Sequence, residues 1–389
     1  MRVAYVCADP GVPTFGMKGS SIHVQEVLRA LLRTGTEVTL FAPRTGGSAP
    51  QDLSSVQVHA LPRASKDDPA DREQAQLAAN DATLAALQEQ GPFDLVYERY
   101  SLWSHAGMTY ARGEGIPGVL EVNAPLVEEQ AQHRGLIDRT AAEDVARRAF
   151  GASSLLVAVS REVGAYLQAM PEATGRVQVI PNGVNPGRFP EDLLPDLPAP
   201  GIFTVGFVGT LKPWHGLPTL LEAFEELRRE VPRSRLLIVG DGPERETLTT
   251  QLQDRGLDED VIFTGAVPSE RIPGLLASMD VAAAPYGNLE GFYFSPLKVY
   301  EYMAAALPVV AGDIGQLQDL IEHGQSGLLY PPGEVASLSA ALRRLHDDPA
   351  LRRRLGQAAR QAVLAHHTWD GRVREILSLA GVSPPQRSA

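Results

Sequence analysis

Between Phe294 and Val310 the chain reads Phe-Ser-Pro-Leu-Lys-Val-Tyr-Glu-Tyr-Met-Ala-Ala-Ala-Leu-Pro-Val-Val. Pro296 suits the first turn of a helix, where the N–H it lacks has no partner in any case. Ser295 stands where an N-cap belongs. The N–H groups of Leu297 and Lys298 would then face outward at the positive end of the helix dipole, and the Lys298 ammonium adds a full charge, which together suit a diphosphate. Glu301 follows one turn later, where its carboxylate can accept hydrogen bonds from two ribose hydroxyls. An ordinary capped helix with a solvated glutamate has the same letters. The strand that follows at Val309–Ala311 argues for a site, because it sets the helix end toward the ligand side of a sheet.

Such a helix needs a scaffold, and the flanking sequence supplies one twice. Arg2–Ala8 reads as a buried strand, a loop carrying Gly11, Gly16 and Gly19 follows, Ile22–Thr34 has helical apolar spacing, and Glu37–Ala42 is the next strand. Strand, glycine loop, helix and strand make a βαβ unit of a parallel, doubly wound sheet. The alternation continues through helix Asp67–Gln90, strands Phe93–Tyr97, Val119–Val122 and Leu155–Val159, and helix Ala141–Phe150. Asn185–Gly201 holds five prolines and reads as a linker. A second set then begins: strand Phe203–Val208, loop Gly209–Gly216, helix Thr219–Val231, strand Arg235–Val239, loop Gly240–Pro243 and helix Glu244–Arg255, with strands Val261–Gly265, Val281–Ala284 and Pro308–Ala311 and helices Ile272–Ala277, Lys298–Ala306, Leu317–His323 and Leu338–Leu345 completing it. The expected division is 1–185, a linker over 186–200, a second sheet domain over 201–368, and a final helical segment over 369–389 that returns to the first domain. Two such domains would enclose a cleft at the carboxyl ends of their strands, where ligands bind.

The totals narrow the chemistry. A chain of 389 residues with 44% hydrophobic and 21% charged residues can build two cores. Its net charge of −12 is −4 over residues 1–190 and −8 over the rest, so no basic half exists to hold nucleic acid. Cys7 is the sole cysteine, which removes intrachain disulfides and thiolate zinc clusters and fits a reducing compartment. The opening residues lack the pattern of a secretion signal, no run of about 20 apolar residues spans a bilayer, and nothing indicates peripheral membrane contact, so a cytoplasmic location is expected. No GxSxG, HExxH or Walker lysine motif occurs. Asp258-Glu259-Asp260 fits a DxD metal pattern but sits in a polar turn away from any glycine loop. His366-His367 reads as packing.

The ordered set of motifs resembles the retaining GT-B glycosyltransferases of family 4 over nearly the whole chain. Gly16–Ser21, with Gly16, Gly19 and Ser20, resembles the loop under the donor phosphates. Val179–Asn185 looks like the interdomain turn, with Asn185 where Asp is usual. Gly206–Leu211 with His215-Gly216 looks like the first carboxy-domain loop, which brings Gly209, Thr210, Lys212 and His215 to the diphosphate. Leu237–Pro243, with Gly240, Asp241 and Gly242, and the Ser295–Glu301 segment complete the set. The resemblance implies a GT-B fold: two Rossmann-like doubly wound parallel-sheet domains facing each other across a cleft, the first binding acceptor and the second the donor nucleotide.

The departures matter as much. Where the family usually grips the diphosphate with Arg and Lys stand Thr210 and His215; Lys212 lies between them and is expected to take over the phosphate charge, with His215 assisting. The family's paired glutamates lie seven residues apart, but Tyr293 holds the upstream region and the nearest acid is Glu290. Asn123, after Val119–Val122, replaces a frequent histidine that touches the transferred sugar; it can bond a hydroxyl but cannot shuttle a proton. Glu121, Glu128 and Glu129 crowd the same strand end, and one would serve as acceptor base if burial raised its pKa. Arg99, in Tyr97-Glu98-Arg99-Tyr100, belongs either to an acceptor-side cluster or to a structural ion pair. The expected reaction is retaining, metal-independent transfer of a hexosyl group from a UDP- or GDP-sugar to a hydroxyl of a glycan, lipid-linked precursor or small metabolite, without a cofactor beyond the donor. The rivals are a non-hydrolysing sugar-nucleotide 2-epimerase, which shares the architecture, and a sugar-nucleotide-binding protein without turnover.

Overall fold

The computed structural model describes residues 1–63, 68–289 and 291–383. Glu290, Asp67 at the start of one expected helix, and 384–389 of the expected final segment lie outside the described residues. The chain forms two compact units, one of residues 1–182, 293–295 and 369 onward, the other of 183–292 and 296–368.

The first unit is built on seven parallel strands: β1 (Arg2–Val6), β2 (Glu37–Ala42), β3 (Gln57–Ala60), β4 (Leu95–Arg99), β5 (Gly118–Val122), β6 (Leu155–Ala158) and β7 (Val177–Val179). Their order is β3-β2-β1-β4-β5-β6-β7. Val3 is in register with Val38 on one side and Leu95 on the other, so the order reverses at β1/β4, the switch point at which doubly wound folds bind ligands. The second unit has six parallel strands: β8 (Phe203–Val208), β9 (Ser234–Val239), β10 (Val261–Phe263), β11 (Val281–Ala284), β12 (Val309–Gly312) and β13 (Leu328–Tyr330), in the order β10-β9-β8-β11-β12-β13. Its switch point is β8/β11. Central strands are apolar runs because helices cover both faces; all six residues of β8 are buried.

The strands β3, β7 and β13, which the apolar pattern did not reveal, are three or four residues long and stand at sheet edges. An edge strand with a solvated face needs few apolar side chains, and Gln57–Ala60 and Val177–Val179 bury little. The helix Gly19–Arg33 begins three residues earlier than the apolar spacing indicates, which moves Gly19 and Ser20 from the loop into the first helical turn. The helix Pro69–Gln90 starts on Asp68, whose carboxylate accepts from the N–H groups of Ala70 and Asp71. The Pro-rich stretch is part of the second unit: Pro186–Arg188 form a 3₁₀ turn capped by Asn185. The final helix, Trp369–Leu379, packs on Gly19–Arg33, with Trp369 edge-on to His23 and Arg33 donating to Asp370.

Each unit has its own core. Phe41, Val96, Leu120, Phe150 and Leu156 anchor the first, and Phe207, Leu221, Phe224, Ile238 and Val310 the second.

Candidate functional site

In the second unit, the loops after β8 and β9 and the helix before β12 converge. The loop after β8 starts at Gly209, and Leu211 donates its N–H to Asp241 O while Glu244 N–H returns a bond to Leu211 O. Gly240, at φ 135°, lies so near that a Cβ there would meet Gly209 O at 2.0 Å. Only glycine permits that approach. Asp241 folds back, its carboxylate accepting from Gly242 N–H at 2.8 Å.

The helix runs over Leu297–Ala304 with Pro296 as its N-cap. Ser295 is not the cap: its hydroxyl accepts from Asn182 N–H and its carbonyl from the Asn182 amide, all within the first unit. Pro296 is extended, at φ −78° and ψ 90°, which places Leu297 and Lys298 as the first two helical residues and leaves their N–H groups outside the helical ladder. The helix also stops before Ala306, which takes a left-handed φ of 57°. Tyr302 moors the helix to the sheet, its hydroxyl donating to Val208 O at 3.3 Å and accepting from Val208 N–H at 2.7 Å.

One turn before Tyr302, Lys298 reaches back over the same strand end. Its Nζ is buried, without a hydrogen-bond partner among the described residues, 4.2 Å from the Phe207 ring centroid and 5.3 Å from that of Tyr286. A Cβ on Gly209 would sit 2.9 Å from this Nζ. Burial lowers the lysine pKa to about 7. His215 follows suit: burial, then the charges of Lys298 and Lys212, outweigh its bond to Thr210 O and bring it to about 3. A carbonyl only accepts, so the ring nitrogen Nδ1, 2.5 Å from Thr210 O, carries the proton of a neutral imidazole. His215 therefore adds no positive charge to the free protein; the cation beside Gly209 is Lys298. Lys212 is partly exposed, 5.5 Å from the Trp214 ring centroid, and Thr210 is exposed.

Glu301, 17% exposed, pairs with Arg188 Nη1 at 2.5 Å, and Arg188 Nη2 donates to Ser269 O at 2.8 Å. Arg188 was invisible as a site residue because a lone arginine in a Pro-rich stretch has no motif around it. In the same unit Asp260 pairs with Arg228 at 2.8 Å, tying down the DxD-like turn.

In the first unit the carboxyl end of β5 carries a buried polar cluster around Glu121, 3% exposed. His23 Nε2 lies 2.6 Å and Arg99 Nη1 3.6 Å from its Oε1, the Asn123 amide donates to the same oxygen at 2.7 Å, and the Tyr97 hydroxyl donates to Oε2. Desolvation pushes the carboxyl up, but His23, Arg99 and Tyr97 prevail and hold it at about 2. A base for acceptor deprotonation needs the opposite shift, so Glu121 does not fit that role. Glu128 is exposed, 3.6 Å from Arg139. Glu129 accepts from the Tyr293 hydroxyl at 2.9 Å and pairs with Arg134 at 2.8 Å. His23 had a sequence signal: a histidine on the apolar face of Ile22–Thr34 needs a partner.

Glycines of the β1 loop are held from behind. Gly16 N–H donates to Pro13 O, and the buried Gln25 amide donates to Thr14 O at 3.1 Å and Gly16 O at 2.9 Å. Gly19 and Ser20 open the helix beyond. A cavity of about 380 Å³ lies past the ends of β1 to β4, lined among others by Asp9, Arg72, Gln76, Asn80, Trp103 and Glu129.

Two parallel-sheet units with glycine loops at their strand ends define the GT-B class, and solved structures agree. Sucrose-phosphate synthase from Thermosynechococcus elongatus superposes with a TM-score of 0.76 at 22% identity, covering 97% of this chain and 98% of that one. Anabaena Alr3699/HepE, solved in complex with UDP, gives 0.72 at 20% identity over 98% and 100%. Sequence comparison is more specific. The profile "Glycosyltransferase Family 4" matches residues 17–188 and "Glycosyl transferases group 1" matches 197–362. The chain is similar to the 2-deoxystreptamine glucosyltransferase of Streptomyces kanamyceticus, 31% identical over 71% of this chain and 74% of that protein. It is also 30% identical to a GDP-mannose-dependent alpha-(1-6)-phosphatidylinositol monomannoside mannosyltransferase of Mycolicibacterium smegmatis, over 60% and 64% of the two chains. The protein belongs to the family 4 glycosyltransferases, and it is a transferase enzyme.

Proposed function

We propose that the protein moves a hexosyl group from a UDP- or GDP-sugar to a hydroxyl acceptor, with retention at the anomeric carbon and without a metal ion. The observation that carries this is Lys298: a buried ammonium over Gly209, at a helix N-terminus, lacking a hydrogen-bond partner among the described residues. Burying a cation so is costly unless an anion arrives to pair with it. A nucleoside diphosphate is such an anion, and relatives named for glucosyl and GDP-mannose-dependent mannosyl transfer, with a fold neighbour solved with UDP, support it.

In this reading Lys298, the N–H groups of Leu297 and Lys298, and Lys212 stabilise the charge that grows on the departing diphosphate. Gly240, Asp241 and Gly242 shape the nucleotide side, and Glu301, steadied by Arg188, accepts from the ribose. In the same reading the departing diphosphate takes the acceptor proton. The cavity of about 380 Å³ beside Trp103 and Glu129 is in the size range of small-ligand pockets and is the acceptor site in this reading. The buried thiol of Cys7 fits a cytoplasmic location.

Incubating the protein with a panel of sugar nucleotides tests the proposal. Transfer or donor hydrolysis with the α configuration kept supports it. A change in the sugar alone indicates epimerisation, and binding of donors without any conversion would make the chain a binding protein. Glu301→Ala and Lys212→Ala are each expected to lower turnover by about 10²-fold; near-normal rates would remove them from the site.

A further inference from the structure

The cavity past the ends of β1 and β4 holds a carboxylate with an oxygen to spare. Among the described residues three carboxylates line it, those of Asp9, Glu73 and Glu129, together with the guanidinium groups of Arg72 and Arg134. Both oxygens of Glu73 are taken by backbone, Oε1 accepting from Ile137 N–H at 3.0 Å and Oε2 from Asp138 N–H at 2.9 Å. Glu129 accepts from Arg134 on Oε1 and from the Tyr293 hydroxyl on Oε2, so the Arg134 charge is already matched. Arg72 is exposed and has an interaction of its own. Asp9 differs. It stands just beyond β1, at the switch point where β1 and β4 lie side by side. Its Oδ1 accepts from Gly11 N–H at 2.7 Å in a turn closed by Val12 N–H on Asp9 O, while Oδ2 accepts no bond and pairs with no cation among the described residues.

We propose that this cavity takes a small ring compound carrying an ammonium group, an amino sugar or aminocyclitol, and that the ammonium sits on Asp9 Oδ2. The proposal rests on the reading of the cavity as the acceptor site and names the acceptor's class. An ionised carboxylate only accepts hydrogen bonds, so whatever meets Oδ2 must donate. An ammonium donates with a full charge, which makes the bond shorter and roughly twice as strong as one from a neutral hydroxyl. It also offsets the excess of carboxylates over guanidinium groups in the lining, which a phosphate or carboxylate on the ligand would worsen. Trp103 and Leu102, on the same wall, give the C–H face of a ring an apolar surface to lie on.

The full-length chain is titrated by calorimetry with glucosamine, glucose and glucose 6-phosphate, and with 2-deoxystreptamine, myo-inositol and a myo-inositol monophosphate. Each amine should bind about tenfold or more tighter than its hydroxyl counterpart, and each phosphate more weakly than either. Asp9→Asn keeps an oxygen for Gly11 N–H and removes the charge, and it should bring amine and hydroxyl ligands within about threefold of each other. Should that variant fail to fold, Asp9→Ser, whose hydroxyl can also accept from Gly11 N–H, is read in the same way. Equal binding of amine and hydroxyl ligands by the wild type, no binding of any of them up to about 10 mM, or an amine preference that survives the loss of the Asp9 charge overturns the proposal. Ala79→Trp, which fills the cavity from the helix Pro69–Gln90, separates this proposal from the reading beneath it. Amine binding and hexosyl transfer from UDP-glucose or GDP-mannose to the same amines are measured side by side. Loss of both in the filled variant supports the proposal. Amine binding that persists there places the amine elsewhere and overturns it. Amine binding lost by filling the cavity, with transfer retained in the variant or absent already from the wild type, upholds the ammonium on Asp9 and refutes the cavity as the acceptor site.

Discussion

Lys298 carries a cost in the free protein that the proposed diphosphate site would turn to use. Its pKa is brought to about 7 by burial alone, so the folded chain spends free energy to keep an ammonium where nothing described neutralises it. Lys298→Met keeps the length and apolar stem while deleting the charge. It should stabilise the free protein at pH 7, seen as a higher melting temperature, while weakening UDP binding by about 10-fold to 100-fold. The two effects have opposite signs, and a variant that loses both stability and affinity would mean that the lysine is only a packing element. The same residue predicts proton linkage. A bound diphosphate favours the ammonium and raises its pKa, so above pH 7 binding must take up a proton, and the uptake must fade toward pH 6, where the lysine is already charged. Phosphate titrates near 6 and does not add to the uptake at pH 8. Calorimetry in two buffers of different ionisation enthalpy measures this, and Lys298→Met should show no uptake at pH 8.

Among the elements, β4 and the helix Ala106–Glu114 meet through a buried carboxyl. Glu98, at the end of β4, is fully buried, and desolvation raises it to about 7 even though Ser104 and the N–H groups of Met108 and Gly107 favour its charged form. The helix lies so close that a Cβ on Gly107 would meet Glu98 Oε2 at 2.3 Å. The folded state keeps this proton between about 4.5 and 7 while the unfolded chain has lost it. Its contribution is thus full below pH 4.5 and is lost as pH rises through 7. Glu98→Gln retains the shape without the charge, and the fall in melting temperature from pH 5 to pH 8 should be smaller in the variant than in the wild type. Equal falls would mean that Glu98 stays ionised throughout.

At the scale of the whole chain, the last helix completes the first unit, so residues 337 positions apart in sequence share one surface: Arg33 donates to Asp370. Trp369 is 5% exposed and stands 4.9 Å edge-on from His23, which in turn faces Glu121. Trp369→Ala should cost about 3–5 kcal/mol and lower the melting temperature of the first unit by about 10 °C. A change within about 1 °C would mean that the helix does not stabilise that unit.

The sequence by itself determined the architecture and the family. Apolar runs, glycine loops and helical spacing alternate along the chain, and these signals lie within a few residues of one another, as at Phe203–Gly216 and Ser295–Val310. The cation of the site was legible in part, since Lys298 was named from its place in the first helical turn. Only the tertiary structure decided the rest. It set Lys298 rather than His215 as the buried charge, gave Ser295 to Asn182 instead of the helix, joined Glu301 to Arg188 across 113 positions, and gathered His23, Tyr97, Arg99 and Asn123 on one carboxylate. The pKa of a buried group depends on desolvation and on partners brought from distant elements. Local spacing places a residue on a strand or helix; which charges it then faces is fixed when the sheet closes around it.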